Sequence, residues 1–421
     1  MDKMVYATYV SILKSELIPA MGCTEPIAVA LAGAKASQVL GATPDHMDIY
    51  CSGNIIKNVK GVVVPNSGGQ MGIAVAAVLG AVGGNADKGL EVIAGATQTD
   101  IAQTRRLIGE HMCECFLEEG EENLYIRVEA VHGQDSVLVE IKTRHNNFSR
   151  IEKNGEVLLS REDEQAAGAH ANKELLNLRD IIDFADNLNI DDVREMLERQ
   201  IEYNSAISRE GLTNPWGAQV GRTLMQDADH FAACAAARAA AGSDARMGGS
   251  SMPVVINSGS GNQGITVTMP LCEYAEKNGV SRDRLYRALA LANLVAVHQK
   301  RFIGNLSAYC GAVSAATASL VGIAYLEGAS YEVMGNTIIN SIATIGGMVC
   351  DGAKSSCAAK IAASVNAATL AYEMAKNGHV FRDGEGLVEG GVEGTIRNVG
   401  RMGREGMRST DIEILNIMLG K

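Results

Sequence analysis

The chain's 421 residues are enough for a large core and two or three lobes. Hydrophobic residues make up 47% of it and aromatic ones only 4%, so the core is expected to consist of Ala, Val, Ile, Leu and Met in closely packed helices. A formal net charge of -12 excludes a nucleic-acid partner, whose phosphate backbone demands a basic surface.

The opening segment, to about Leu40, reads as two helices broken at Pro19–Gly22. Lys14 and Glu16 interrupt the first apolar run and no basic region precedes it, so no secretory signal is expected. Nine cysteines without such a signal point to a reducing cytoplasm, where metal binding or catalysis is a commoner use of cysteine than disulfides. The second helix starts at Thr24-Glu25-Pro26, with proline and an acidic residue in its first turn, and stops before Gly41. Then come an alternating strand over Met47 to Cys51, a polar cluster of Asn54, Lys57 and Asn58, and a β-like run Val62–Val64. That run breaks into Pro65-Asn66-Ser67-Gly68-Gly69-Gln70, and a small-residue helix follows from Gly72 to about Val82.

Residues 122–159 change character. Leu124, Ile126 and Val128 alternate with polar neighbours, as do Val137, Val139 and Ile141, and Val157 to Leu159 closes a third run. Turns at His132–Asp135, Arg144–Asn147 and Asn154–Gly155 separate them, which predicts an antiparallel meander. From Arg161 to Arg209 the chain is charged and helical and reads as a solvated connector. Residues 210–421 are mainly apolar helices joined by glycine loops. The uncharged stretch from Ser307 up to Glu327 nearly reaches membrane-span length, but its Ser, Thr and Gly content predicts a buried helix and no membrane partner.

The expected fold class is therefore α+β: a predominantly helical catalytic core with a small antiparallel β-containing subdomain. Residues 1–85 form the N-terminal part of that core, 86–165 the subdomain, 166–209 the charged connector and 210–421 the remaining helical part.

One internal echo stands out. Val62-Val63-Val64-Pro65-Asn66-Ser67-Gly68-Gly69-Gln70 resembles Val254-Val255-Ile256-Asn257-Ser258-Gly259-Ser260-Gly261-Asn262-Gln263. Each is a β-like run, then Asn-Ser-Gly, then a Gln/Gly segment entering a helix. Backbone N–H groups at such helix starts suit a carboxylate or phosphate, so two lobes facing one pocket are expected, with ordinary turn chemistry as the alternative. Lys57 is a candidate partner for a substrate carboxylate, or a solvated strand lysine. His298, Lys300 and Arg301 read as surface cations.

Cys310, Cys350 and Cys357 carry most of the chemistry. The last two stand seven positions apart, about 10 Å along a continuous helix, which is too far to grip one small cluster. Gly352 permits a bend, and Ser355 or Ser356 can cap a new helix with Cys357 in its first turn, where the helix dipole favours an anionic sulfur. The spacing alone leaves three readings open: buried structural cysteines, an iron–sulfur cluster or zinc. Cys23, just before a helix N-terminus, is expected to have a lowered pKa and to serve as nucleophile or base, with an inert capping cysteine as the alternative.

Together these elements resemble the L-cysteine desulfidase family, a relative of the iron–sulfur L-serine dehydratase alpha chains. The likeness spans essentially the whole chain. It rests on Gly22-Cys23-Thr24-Glu25-Pro26-Ile27-Ala28, Ser52-Gly53-Asn54, Asn66-Ser67-Gly68-Gly69, Asn257-Ser258-Gly259-Ser260-Gly261-Asn262 and the cysteine trio. The resemblance implies that Cys310, Cys350 and Cys357 ligate a [4Fe-4S] cluster and that Cys23 faces the substrate as base or, alternatively, as a reversible fourth ligand. It implies substrate contacts from Asn54, Lys57, Asn66, Ser67, Gly68, Gly69, Asn257, Ser258, Gly259 and Asn305. The activity implied is elimination of sulfide from L-cysteine to give pyruvate and ammonia. L-Serine dehydration, pyridoxal-phosphate β-elimination and a non-enzymatic iron–sulfur sensor are the competing readings; a homodimer is compatible with all of them.

Overall fold

In the computed structural model, which describes residues 1–161, 172–304 and 306–421, a helical body is joined to one six-stranded sheet. This is the α+β class that the sequence predicts. Asp2 caps the first helix, Lys3–Glu16, by accepting from the backbone N–H groups of Met4 and Val5. The break at Pro19 is a short strand, β1 (Pro19–Met21), before the helix Thr24–Leu40. Gly41 ends that helix in the left-handed region at φ 81°.

The next strands are β2 (His46–Cys51), β3 (Cys113–Leu117), β4 (Tyr125–His132), β5 (Asp135–Lys142), β6 (Phe148–Lys153) and β7 (Glu156–Ser160). They lie in the order β3-β2-β4-β5-β6-β7, antiparallel throughout except for the parallel β2–β3 pair. The alternation of Ile126, Val128 and Ala130 with Val137, Val139 and Ile141 buries one face, and β4 and β5 pack against the helix Thr24–Leu40. Two strands of this sheet were not foreseen. The residues of β3 are mostly exposed, and β6 reads Phe-Ser-Arg-Ile-Glu-Lys, so neither carries a clean apolar alternation. Val62–Val64 is no strand; only Val63 makes a bridge, to Met71.

Small residues let helices close on one another. A Cβ on Gly33 would collide with the carbonyl of Ala77, and one on Gly80 with the carbonyl of Ala30, where the helices Thr24–Leu40 and Ile73–Gly83 cross. The charged connector is less solvated than expected. Its helix Arg194–Thr213 buries Leu197, Gln200, Ile201, Asn204 and Ser208. Burial of Asn204 is tolerated because its amide accepts from the Val255 N–H (2.9 Å) and donates to the Val255 carbonyl (3.2 Å) and the Thr268 hydroxyl (3.1 Å). The part of the connector at 162–171 lies outside the described residues.

The C-terminal half is helical as predicted. The principal helices are Phe231–Met247, Gly261–Asn278, Arg282–Ile303, Gly311–Leu326, Tyr331–Ile345, Ser356–Lys376, Gly391–Arg401 and Arg408–Leu419. Among the described residues no helix is long and apolar enough to cross a membrane, and Gly311–Leu326 is an almost wholly buried core helix. A last strand, β8 (Pro253–Val255), pairs antiparallel with β1, Pro19 opposite Val255 and Met21 opposite Pro253.

Candidate active site

Two short backbone pairings bring the chemistry together. The β1–β8 ribbon sets Cys23, at the cap of its helix, beside the loop Asn257–Ser260 that leads into the helix Gly261–Asn278. The second pairing is a single antiparallel bridge between Tyr309 and Val349. Around it the Cys310 N–H donates to the Met348 carbonyl (2.9 Å) and the Cys350 N–H to the Ala308 carbonyl (2.6 Å). Cys310 caps Gly311–Leu326, and Cys357 lies in the first turn of Ser356–Lys376. Gly352 makes the anticipated bend at φ 90°, where a Cβ would stand 2.5 Å from the Lys57 carbonyl oxygen.

One cavity of about 100 Å³ is lined by Cys23, Cys310, Cys350 and Cys357 together with Ser258 and Gly259. A hydrogen bond between the Cys310 and Cys350 thiols holds Cys350 below the ordinary range and, with burial, pushes Cys310 well above it. Lys57 and Lys300 also favour the Cys350 thiolate, while burial raises Cys357. Lys300 is only 5% exposed, not the surface cation expected, and burial lowers its pKa to about 8. Lys354 is lowered by burial as well, and Lys360 pairs with Asp351 next to the sulfurs. Lysines thus surround the thiols, as a cluster of negative sulfurs requires.

Cys23 departs from expectation. Burial, reinforced by the Glu25 carboxylate, pushes its thiol well above the ordinary value, and its Sγ–H donates to Glu25 Oε2 at 3.0 Å. The helix N-terminus does not overcome that burial and the adjacent negative charge. Burial alone would raise Glu25, but the His145 ring 3.7 Å away, the hydrogen bond from Cys23 and the charge of Arg246 lower it to about 2.

The expected substrate residues divide. Ser258 and Gly259 line the cavity, whereas Asn257 is buried behind it and donates to Asn293 Oδ1 at 2.9 Å. Lys57, 1% exposed, pairs with Asp411, and Asn54 donates to the same carboxylate at 2.9 Å, so both are engaged by the C-terminal helix. Asn66, Gly68 and Gly69 line a different cavity, of about 530 Å³, with Trp216 and residues 248–252. Ser67 turns its hydroxyl back onto the Gln70 backbone. The two echo loops therefore do not share one pocket. Pro65, at the start of the first, packs against Gly22 where a Cβ would stand, immediately before Cys23. Asn305 lies outside the described residues. His298 is buried and pairs with Glu393 (2.7 Å), and Arg301 donates to the Lys173 and Leu176 carbonyls.

Several buried polar atoms on the cavity wall have no hydrogen-bond partner among the described residues: Asn262 Oδ1, Gln263 Oε1, Arg246 Nε, His145 Nε2 and the Tyr309 hydroxyl. Such groups are costly unless something else meets them. Arg246 is 3% exposed and has no ion-pair partner among the described residues. No three His, Cys, Asp or Glu side chains among the described residues converge on a single metal ion. An iron–sulfur cluster asks for something else, one thiolate on each of several irons, and three cysteines on one cavity wall fit that demand.

Residues 87–416 match the family described as serine dehydratase alpha chain. The chain belongs to that family. It is also 47% identical to a UPF0597 protein of Finegoldia magna over 98% of this chain and 99% of that one. A UPF0597 protein of Lachnoclostridium phytofermentans is likewise 47% identical, over 99% and 100% of the two chains, and one of Treponema denticola is 42% identical over 100% and 99%. Serine dehydratase alpha membership supports lyase chemistry of the iron–sulfur kind in general terms. The matched segment holds the cysteine trio; Cys23 and Glu25 precede it.

Glu25, His145, Arg246, Asn262, Gln263 and Lys300 were not among the expected site residues. His145 lies in a hairpin turn with no motif around it. Arg246, near the end of an alanine-rich helix that also holds Arg238 and Asp244, carries no local motif that marks it.

Proposed function

We propose that this chain is a [4Fe-4S]-dependent lyase that eliminates sulfide from L-cysteine to give pyruvate, ammonia and hydrogen sulfide. The observation that carries the reading is the convergence of Cys23, Cys310, Cys350 and Cys357 on one lysine-ringed cavity. Cys310, Cys350 and Cys357 would hold the cluster, which when bound supplies a Lewis-acidic iron for the departing sulfur.

The chain's own residues do the rest. Arg246, unpaired and buried, faces the cavity as the anchor for the substrate carboxylate, with the amides of Asn262 and Gln263 beside it. Ser258 and Gly259 form the adjoining wall and limit how the Cα–H bond can turn. Cys23 takes the α-proton. The electron pair left on Cα forms the double bond as the Cβ–S bond breaks, and the aminoacrylate released tautomerises and hydrolyses to pyruvate and ammonia. The buried side of the wall, with Cys23, Arg246, Ser258, Gln263 and Lys300, limits the access of water to the carbanionic centre.

L-Serine is the second reading, favoured by the name of the matched family. Anaerobic reconstitution with iron and sulfide, followed by pyruvate and sulfide assays on both amino acids, tests the proposal. Pyruvate from L-cysteine in excess of that from L-serine supports it; the reverse order makes the chain a serine dehydratase, and no pyruvate from either rejects lyase activity on these substrates.

A further inference from the structure

Among the orphan groups on the cavity wall, Arg246 Nε can only donate, whereas Asn262 Oδ1 and Gln263 Oε1 can only accept. They stand close together. A Cβ on Gly261 would lie 2.4 Å from Arg246 Nε, and Asn262 and Gln263 are the next two residues of the same helix. Gly311 leaves room for the Gln263 amide, since a Cβ there would stand 2.4 Å from its Cδ.

A third acceptor is set by hydrogen bonds behind the wall. Asn293 donates to Gln200 Oε1 (2.9 Å) and the Leu289 carbonyl (2.8 Å). Its Oδ1 is left to accept from Gln200 Nε2 (3.0 Å) and Asn257 Nδ2 (2.9 Å). Asn257 therefore turns its own oxygen to Ser258, whose hydroxyl donates to it at 2.9 Å. A hydroxyl has one proton to give, so Ser258 offers the cavity lone pairs only. Gln200, Asn257 and Asn293 are fully buried, and the elimination chemistry above makes no use of them. Glu25, the one carboxylate on this wall among the described residues, already accepts from Cys23 and Thr24.

We propose that Ser258, Asn262 and Gln263 receive the α-ammonium group of the substrate, which makes the substrate class a free α-amino acid bound as its zwitterion. This rests on the lyase reading above, with Arg246 on the carboxylate, and adds the second half of the recognition. An ammonium has three N–H donors and no acceptor, the complement of three oxygens that can only accept. In an α-amino acid the ammonium and the carboxylate share one carbon, which matches acceptors that follow directly on the glycine lying against Arg246. The buried chain from Gln200 through Asn293 and Asn257 acts only through Ser258 and is a positioning device for its lone pairs. Uncharged acceptors also leave the ammonium its full charge, and a cation on Cα makes the Cα–H bond easier for Cys23 to break.

The test uses the full chain, loaded anaerobically with its cluster, and two fragments of L-cysteine. Cysteamine lacks the carboxylate and 3-mercaptopropionate lacks the ammonium; the Kd of each is measured by calorimetry. Gln263→Met keeps the bulk and removes the acceptor, and Ser258→Ala removes another with little change of shape. Each should weaken cysteamine about 10-fold or more while 3-mercaptopropionate changes less than about threefold. Arg246→Gln should give the opposite pattern, and KM for L-cysteine should rise in all three variants. Gln263→Glu, which keeps an oxygen in place, should recover cysteamine binding. A residue that merely supported the fold would weaken both fragments together. Equal loss of both fragments in Gln263→Met and Ser258→Ala overturns the receptor, and so does unchanged cysteamine binding in both. Failure of the wild type to bind cysteamine overturns it as well. Absence of pyruvate from the loaded wild type rejects the lyase reading instead, and the two series of Kd values then still decide whether these residues hold an ammonium group.

Discussion

Tyr309 and Val349 form a single antiparallel bridge, and that bridge sets Cys310 and Cys350 side by side across forty residues of sequence. The third cysteine follows after the turn at Gly352, so the trio's arrangement depends on two backbone features as much as on its sulfurs. Cys310→Ala, Cys350→Ala and Cys357→Ala should each lose most of the iron in anaerobic preparations, measured by metal analysis and visible absorbance. Gly352→Val should do the same with every cysteine intact, because its side chain has no room beside the Lys57 carbonyl. Full iron in any two of the cysteine variants would reject the ligand assignment.

Cys23 is expected to behave differently. Cys23→Ala and Cys23→Ser should keep the brown colour and iron content while turnover drops about 10²- to 10⁴-fold, since a hydroxyl is a far weaker acid than a thiol. Were Cys23 a resting ligand, its replacement would alter the spectrum before substrate is added.

Arg246 is the sharpest test of substrate binding. Arg246→Lys keeps the charge but not the planar fork, and Arg246→Gln keeps neither. Both should raise KM, roughly 10-fold and 100-fold respectively, with smaller effects on kcat. Unchanged KM in Arg246→Gln would place the carboxylate elsewhere in the cavity.

Asp244 supplies a pH prediction away from the cysteines. Burial raises its carboxyl to about 6, although the backbone N–H groups of Gly221, Val220 and Ala218 pull the other way. Its folded pKa lies above its unfolded one, so the native state binds the extra proton. The unfavourable contribution is present above pH 6 and is relieved as pH falls from 6 towards 3.8. Asp244→Asn should therefore compare better with wild type at pH 7.5 than at pH 4.5, by a few °C in Tm on thermal denaturation. A pH-independent difference would show that the carboxyl is not perturbed.

What was legible from sequence were features carried by local chemistry. Glycine and alanine runs announced close helix crossings, and Gly33 and Gly80 meet the facing backbones as that composition implies. The alternation in β4 and β5 was plain because one face of each is buried; β3 and β6 escaped notice because theirs is weak. The cysteine trio was legible by residue type. Asn66 and Asn257 misled as a pair because the same turn residues serve different neighbours, the Ile93 carbonyl in one case and Asn293 in the other. His145 and Arg246 acquire meaning only from what surrounds them: Glu25 and Gly259, more than a hundred residues from His145, and for Arg246 the start of the next helix at Gly261 as well as Glu25. A thiol's pKa is equally a property of surroundings, which is why the helix-start argument for Cys23 failed against burial and Glu25.

The buried pair between Lys57 and Asp411 spans 354 positions, and Lys60 reaches the Met418 carbonyl close to the C-terminus. The helix Arg408–Leu419 therefore closes over the segment that backs Cys350, whose carbonyl Lys57 also touches. In the order of biosynthesis, a segment made after all three cysteines is therefore the one that backs the sulfur cavity. Until it arrives, Lys57 has no buried counter-ion, and the thiols it steadies remain open to whatever iron carrier or oxidant reaches them first.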